Sequence, residues 1–231
     1  MRITIHQPEH LPWLGLLSKI SAAELLVVLD SVPYRKNYFQ NRNRVLINGA
    51  PTWLTVPVAA PTGTLIQDVK LADTPNWQRR YLGRISQAAP AAFRDGCLDP
   101  VRAAIEGSQP SSPLINLNLL LSDWLSQEFG VSTPSVRSSE LDVSGHKSEL
   151  IRNICVAAGA EEYIAGPSGR DYLDLSDFAE HGIRVLFFDF DHPEYDQGVP
   201  FVSHLSAVDA WSRLPHSDLP SLLTSWELNS S

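Results

Sequence analysis

Two strongly apolar stretches place the tightest constraint on the fold: LLVVLD at 25–30, a continuous apolar run that ends in a carboxylate, and IRVLFFDF at 183–190. A strand without polar alternation is typical of a sheet that is covered on both faces. Such sheets are mainly parallel, and their neighbouring strands are joined by crossover helices. The two runs therefore predict a layered α/β structure.

In the rest of the chain, segments with the hydrophobic period of a strand alternate with segments with the hydrophobic period of a helix. Further strands are predicted at 2–6, 53–58, 66–72, 135–139 and 162–166, and helices at 14–24, 76–89, 114–130, 146–158 and 173–181. Helices that alternate with apolar strands favour a mainly parallel sheet with helices on both faces, as in Rossmann-like folds. We expect one domain over residues 1–215 and a C-terminal tail, 216–231, that frays at WELNSS.

Composition narrows the classes of function. The 231 residues carry a formal net charge of −8, which argues against nucleic-acid binding because such proteins usually carry a dominant basic face. The two cysteines match neither a disulfide nor a metal-ligand spacing, so a reducing, cytoplasmic setting is the default. No signal peptide is expected, and no apolar run has the length of a membrane span. We expect a small-molecule or protein-bound substrate.

Polar side chains follow several of the predicted strands. His6 ends the first strand, Asp30 ends the second, and the segments GPSGRDY (166–172) and DFDHPEYDQ (189–197) follow two later strands. In open parallel sheets, ligands bind at the carboxyl edge of the strands. These segments are therefore expected to border one cleft.

The loop HQPEHLPW offers His6 as a general base, or as a hydrogen-bond donor to a phosphate or carbonyl group. Pro8 and Pro12 exclude a regular helix, so the spacing of His6 and His10 does not indicate a metal pair, and no metal is expected. The alternative is a histidine that caps the following helix or bonds to the backbone.

The stretch FQNRNRV, at 39–45, belongs to a segment without any acidic residue. Concentrated positive charge in an acidic protein suits an anion, and arginine binds phosphate or carboxylate in a bidentate way. Neighbouring amides predict a hydrogen-bonding wall for a ligand. The cations and amides are Arg35, Lys36, Arg42, Arg44, Gln40, Asn41 and Asn43. The alternative is a solvated loop whose arginines form weak surface ion pairs.

The two later segments carry weaker signals. Backbone N–H groups of GPSGRDY suit an anion nest, although a tight turn is the commoner role of such a segment. In DHPEYDQ an aspartate beside His192 can tune the basicity of the ring, and an ordinary turn is an equal alternative. The sequence contains no nucleophile elbow and no zinc-ligand spacing, so a covalent mechanism is not indicated.

Six segments together resemble the WbqC-like protein family, in order and at these separations, over about residues 3–210: HQPEHLPWLGLLSKI, LLVVLDSVPY, FQNRNRV, WLTVPV, YIAGPSGRDYLD and HPEYDQ. Members of the family occur in polysaccharide O-antigen and natural-product gene clusters, and the resemblance implies an acyl or aminoacyl (glycyl) transferase. Two departures from the family's pattern stand out. His10 lies where tyrosine is commoner, and the helix after Trp77 lacks the histidine expected in its first turn.

The resulting hypothesis is amide formation from an activated acyl donor, which is bound to phosphopantetheine on a carrier protein or activated by a nucleotide. A strand-end histidine would remove the amine proton and amides would stabilise the oxyanion, so the catalytic candidates are His6, His192, Asn41 and Asn43. Candidates for substrate binding, with two arginines on the donor phosphate, are Gln7, Trp13, Lys19, Asp30, Gln40, Arg42, Arg44, Gly166, Ser168, Gly169, Arg170, Tyr172, Tyr195 and Gln197. The alternatives are a nucleotidylyl transferase-like phosphate-binding enzyme and a non-catalytic module that docks an acyl or peptidyl carrier protein.

Overall fold

The computed structural model describes residues 1–230. Its strands are β1 (Arg2–His6), β2 (Leu25–Val28), β3 (Arg42–Ile47), β4 (Ala50–Thr55), β5 (Val58–Ala59), β6 (Lys70–Leu71), β7 (Ser135–Arg137), β8 (Glu162–Ala165), β9 (Arg184–Phe190) and β10 (Trp226–Ser230). Its α-helices are α1 (Leu14–Ser21), α2 (Trp77–Ala88), α3 (Pro90–Arg94), α4 (Asp99–Glu106), α5 (Leu114–Glu128), α6 (Ser148–Ala157), α7 (Leu175–Glu180) and α8 (Val208–Arg213). Among these, no helix combines the length and hydropathy that a membrane crossing requires.

A six-stranded sheet in the order β10-β9-β8-β1-β2-β7 forms the centre of the fold. β10 runs antiparallel to β9, and the other neighbours are parallel. The predicted α/β, Rossmann-like sheet is therefore confirmed. Because the parallel strands share one direction, the residues that follow β1, β2 and β8 emerge at the same edge of the sheet.

The sheet carries helices on both faces because successive strand residues point to opposite sides. On one side, Val27 of β2 packs in a core with Ile154 of α6 and Phe178 of α7. On the other side, Leu26 packs against a larger core that includes Leu17 of α1. Apolar burial on two sides explains why β2 lacks polar alternation.

No strand is predicted from the sequence at FQNRNRV, but the structure forms one from Arg42 onward. β3 and β4 form an antiparallel hairpin in which Arg44 lies opposite Trp53. Asn48 and Gly49 make its turn with φ values of 50° and 75°. Two-residue hairpin turns favour Asn-Gly because both central residues need positive φ. That dipeptide is the sequence signal for the hairpin.

The C-terminal tail was expected to fray at WELNSS, which is wrong. β10 pairs with β9 along its whole length, from Trp226 opposite Phe190 to Ser230 opposite Leu186. The Trp226 ring lies 5.8 Å from the Phe188 ring, and an aromatic contact of this kind adds to the backbone pairing. The serine-rich composition of this segment does not indicate a strand, because the stability of β10 comes from its pairing with β9.

Candidate functional site

A cavity of about 340 Å³ opens at the carboxyl edge of the parallel strands. Loops after β1 and β8 form two of its walls, and α1 contributes a buried lysine. We call it the polar cavity. Of the residues that the sequence singles out, it brings together His6, Gln7, Lys19, Gln40, Gly166, Ser168, Gly169 and Tyr172.

Glu9, His6 and Lys19 form a hydrogen-bonded chain in the wall of the polar cavity. Lys19 Nζ lies 3.0 Å from His6 Nδ1, and His6 Nε2 lies 3.3 Å from Glu9 Oε1. A protonated lysine has no lone pair and can only donate, so Nδ1 accepts and Nε2 carries the ring hydrogen toward Glu9. We call these three residues the Glu–His–Lys chain.

Burial lowers the pKa values of two residues in the Glu–His–Lys chain. Burial of the ammonium lowers the pKa of Lys19 to about 8, against the opposing effect of Glu9. Burial, and then the neighbouring Lys19, lower the pKa of His6 below its usual value. At neutral pH the imidazole is therefore uncharged, while Lys19 is mostly protonated and ready to give up its proton.

The loop between β1 and α1 is rigid because neighbouring amides fasten it. Leu11 adopts a φ of 45°, which is uncommon for a residue with a β-carbon, and Asn43 Nδ2 donates to the Leu11 carbonyl at 2.8 Å. Gln40 Nε2 donates to Gln7 Oε1 at 2.6 Å. The amides of FQNRNRV thus position the loop that carries His6.

Asn41 and Asn43 do not face the cavity as oxyanion donors. Asn41 Nδ2 donates to the Val56 carbonyl at 2.8 Å, and both side chains are buried. Strand alternation places Arg42 and Arg44 on the other face, where their guanidinium groups lie 4.0 and 5.8 Å from the Trp53 ring. Neither arginine lines the polar cavity, so the structure does not bring them to His6.

His192 also lies apart from His6. Its ring packs among aromatic residues, 6.2 Å from the Trp13 ring and 5.4 Å from the His204 ring. Trp13 stacks on His204 at 4.9 Å, which makes it part of the same cluster. Neither His192 nor Trp13 lines the polar cavity.

Tyr195 and Gln197 tie the following loop to α8. Both side chains donate to Asp209 Oδ2, at 2.9 and 3.1 Å. Gln197 Oε1 accepts from the backbone N–H of Val202 at 2.8 Å. Because these groups bond internally, the structure gives them a role in holding the loop rather than a ligand.

Two further candidates are engaged in ion pairs. The buried Asp30 carboxylate accepts from Arg137 Nε at 2.6 Å and from Ser139 Oγ at 2.9 Å, which fastens β2 to the segment after β7. Arg170 Nη2 lies 3.1 Å from Asp189 Oδ2 at the surface. Neither Asp30 nor Arg170 lines the polar cavity.

The turn after β8 packs closely against its neighbours at Gly169. A β-carbon at Gly169 would lie 2.9 Å from Leu173 Cδ1 and 3.1 Å from Ala165 Cβ, so only glycine fits without a shift. At Gly166 a β-carbon would meet no atom within 4 Å. Ser168, between them, has no side-chain hydrogen bond among the described residues and is free to face a ligand.

Sequence reasoning singled out neither Glu9 nor Tyr38, although both line the cavity beside His6. Arg35, one of the cations of the basic segment, also lines it. The Glu9 side chain is only 10% exposed, and its Oε2 has no hydrogen-bond partner among the described residues. A carboxyl group three positions after a strand-end histidine is a signal in the sequence, but its direction depends on the turn at Leu11.

Comparison with known proteins identifies the family of this chain. The model of the WbqC-like protein family matches residues 7–218. The chain belongs to the WbqC-like protein family. The uncharacterized protein Rv1507c of Mycobacterium tuberculosis (strain ATCC 25618 / H37Rv) is 30% identical over 199 residues, which cover 85% of this chain and 86% of that protein. No solved structure matches this WbqC-like chain significantly.

His10 and Tyr81 form a buried hydrogen-bonded pair. His10 lies in the loop between β1 and α1, and Tyr81 lies in α2, one turn after Trp77. His10 Nε2 lies 2.7 Å from the Tyr81 hydroxyl, and His10 Nδ1 lies 3.1 Å from Asn118 Oδ1. Burial lowers the pKa of His10 to about 4, so the ring accepts from the tyrosine and donates to the asparagine.

Exchange of the two residues tests whether their contributions to stability are coupled. We expect His10→Tyr and Tyr81→His each to lower the free energy of unfolding by about 1–3 kcal/mol, because each leaves a buried polar group unpaired. The double exchange should recover about 1 kcal/mol or more of the summed loss. Urea unfolding of the four proteins measures the coupling, and losses that simply add would contradict it.

Proposed function

We propose that this WbqC-like chain is an acyltransferase that forms an amide from an activated acyl donor and an amine. The observation that carries the proposal is the Glu–His–Lys chain in the wall of the polar cavity, at the carboxyl edge of the sheet. Amide formation needs one group that accepts the amine proton and another that protonates the leaving group. Glu9, at one end of the Glu–His–Lys chain, is the proposed proton acceptor, and Lys19, at the other end, is the proposed proton donor.

The proposed step assigns a role to each end. The neutral amine attacks the acyl carbon, the new C–N bond forms, and the Glu9 carboxylate accepts the proton that the nitrogen loses. The bond between the acyl carbon and the leaving group breaks, and the leaving atom takes its electron pair and a proton from Lys19. His6 holds the two ends at a fixed separation, and both ends exchange protons with solvent after the product leaves.

The walls of the polar cavity suit an acyl donor that carries phosphate or another anion. Arg35 lines the cavity and forms no ion pair among the described residues, and the Ser168 hydroxyl lies on the opposite loop. Lys19 adds a second positive charge. These groups support a donor such as an acyl-phosphopantetheine thioester or an acyl adenylate, although the arginine is Arg35 rather than Arg42 or Arg44.

A donor screen tests this function. The purified chain would be incubated with acyl-phosphopantetheine thioesters or acyl adenylates and a mixture of primary amines, and products would be followed by mass spectrometry. We expect an amide from at least one donor with the wild type and at least about 100-fold less with Glu9→Gln. Amide formed at equal rates by both proteins would contradict the assigned site. Pyrophosphate release from a nucleoside triphosphate without amide would favour nucleotidylyl transfer instead.

A further inference from the structure

The loop from His6 to Glu9 also borders a second cavity, of about 260 Å³, on the side of the sheet that carries α1 and α5. Apolar side chains of α1 and β2 form much of its wall: Leu16, Ile20, Leu26 and Val28. We call it the apolar cavity. No lysine or arginine lines it among the described residues, whereas two carboxyl groups, Glu9 and Asp123, do.

Glu9 lines both cavities, as do His6, Gln7 and Pro8. The Glu9 side chain is about nine-tenths buried, Oε1 bonds to His6, and Oε2 has no partner among the described residues. A buried carboxyl oxygen without a hydrogen-bond donor is unfavourable, so a ligand that brings an N–H group to this carboxylate gains an interaction there. The apolar side chains of α1 and β2 in the same cavity suit the body of such a ligand.

The second carboxyl group, that of Asp123, adds to the negative charge of the apolar cavity. Asp123 of α5 lies at the exposed rim, and partial burial raises the pKa of its carboxyl group. A lining with two carboxyl groups and no lysine or arginine attracts a cation and disfavours an anion. This contrasts with the polar cavity, where Arg35 and Lys19 contribute positive charge.

We propose that the apolar cavity binds the acyl acceptor, a primary amine on an apolar body, with the nitrogen hydrogen-bonded to the Glu9 carboxylate. The inference rests on the proposed function and names its second substrate class. The donor and the acceptor would occupy separate cavities and react beside Glu9, which lines both of them. An amine that enters as the ammonium ion releases one proton to solvent before it attacks.

Calorimetric titration with 1-hexylamine and with 1-hexanol at pH 7 tests the binding claim without any turnover. We expect hexylamine to bind the wild type at least about 10-fold more tightly than hexanol, since only the amine pairs with the carboxylate. Glu9→Gln should weaken hexylamine about 10- to 100-fold. Asp73→Asn, a matched loss of an exposed carboxyl group that does not line the apolar cavity, should change its affinity less than about 3-fold.

A second variant keeps the test decisive if Glu9→Gln does not fold. Ser122→Phe places a large ring in the apolar cavity and leaves Glu9 unchanged, so hexylamine binding should again fall at least about 10-fold. Thermal unfolding checks that each variant is folded. Hexylamine that binds folded Glu9→Gln and folded Ser122→Phe as tightly as the wild type would overturn the inference. Amine binding with the expected losses, but without amide formation from any donor, would overturn the proposed function and leave the amine site in place.

Discussion

Replacement of Asp30 by alanine is expected to lower the free energy of unfolding by about 3–5 kcal/mol, because it leaves the Arg137 guanidinium partly buried without its partner. The Asp30 carboxylate is fully buried and accepts from Arg137, from the Ser138 hydroxyl and from the backbone N–H and hydroxyl of Ser139. These contacts join the end of β2 to the segment after β7. Their loss should loosen the β7 edge of the sheet.

Urea unfolding at pH 7 measures this loss against a matched control. Asp73→Ala removes an exposed aspartate that has no ion pair among the described residues, and we expect its effect to stay within about 0.5 kcal/mol. Asp30→Asn keeps the shape but not the charge and should fall between the two. A loss from Asp30→Ala no larger than that of the control would show that the carboxylate is not a structural anchor, and its role as a ligand contact would then need testing again.

Replacement of Lys19 by methionine should reduce amide formation at least about 100-fold while the protein remains folded. The substitution removes the proposed proton donor but preserves a long apolar side chain in a buried place. Because burial lowers the pKa of Lys19 to about 8, its ammonium form is disfavoured in the folded chain. Loss of that charge should therefore cost little stability at neutral pH.

The dependence on pH separates this role from a purely structural one. Lys19 must be protonated to donate, so turnover should be sustained below about pH 8 and fall as the pH rises through the pKa of Lys19. Lys19→Arg should move this decline to higher pH, because arginine stays protonated. Lys70→Met removes an exposed lysine and should leave the profile unchanged. An unaltered alkaline decline in Lys19→Met would exclude Lys19 as its source.

The order of the strands and helices was predictable because apolar burial in a parallel sheet leaves a strong pattern. LLVVLD and IRVLFFDF correspond to β2 and β9, and both are extended and largely buried. β10 was not predictable, because its residues are mostly polar and its stability depends on β9. Pairing with a distant neighbour has no local signature.

The site was predictable where chemistry coincides with a strand end. His6, Gln7 and the GPSGRDY turn lie together in the polar cavity because parallel strands bring their carboxyl ends to one edge. Arg42 and Arg44 were misplaced because charge was weighed without the two-residue period of a strand, which turns Asn43 inward and both arginines outward. Of the three arginines in this segment, Arg35 is the one that lines the polar cavity.

The position of β1 in the middle of the sheet has a consequence for how the chain folds. Arg2 pairs with Glu162 of β8, and the two residues are 160 positions apart. At a typical synthesis rate of about 5–20 residues per second, β1 waits roughly 8–32 seconds on the ribosome before β8 exists. During that interval β1 has an edge that is not yet paired, directly beside the loop that carries His6.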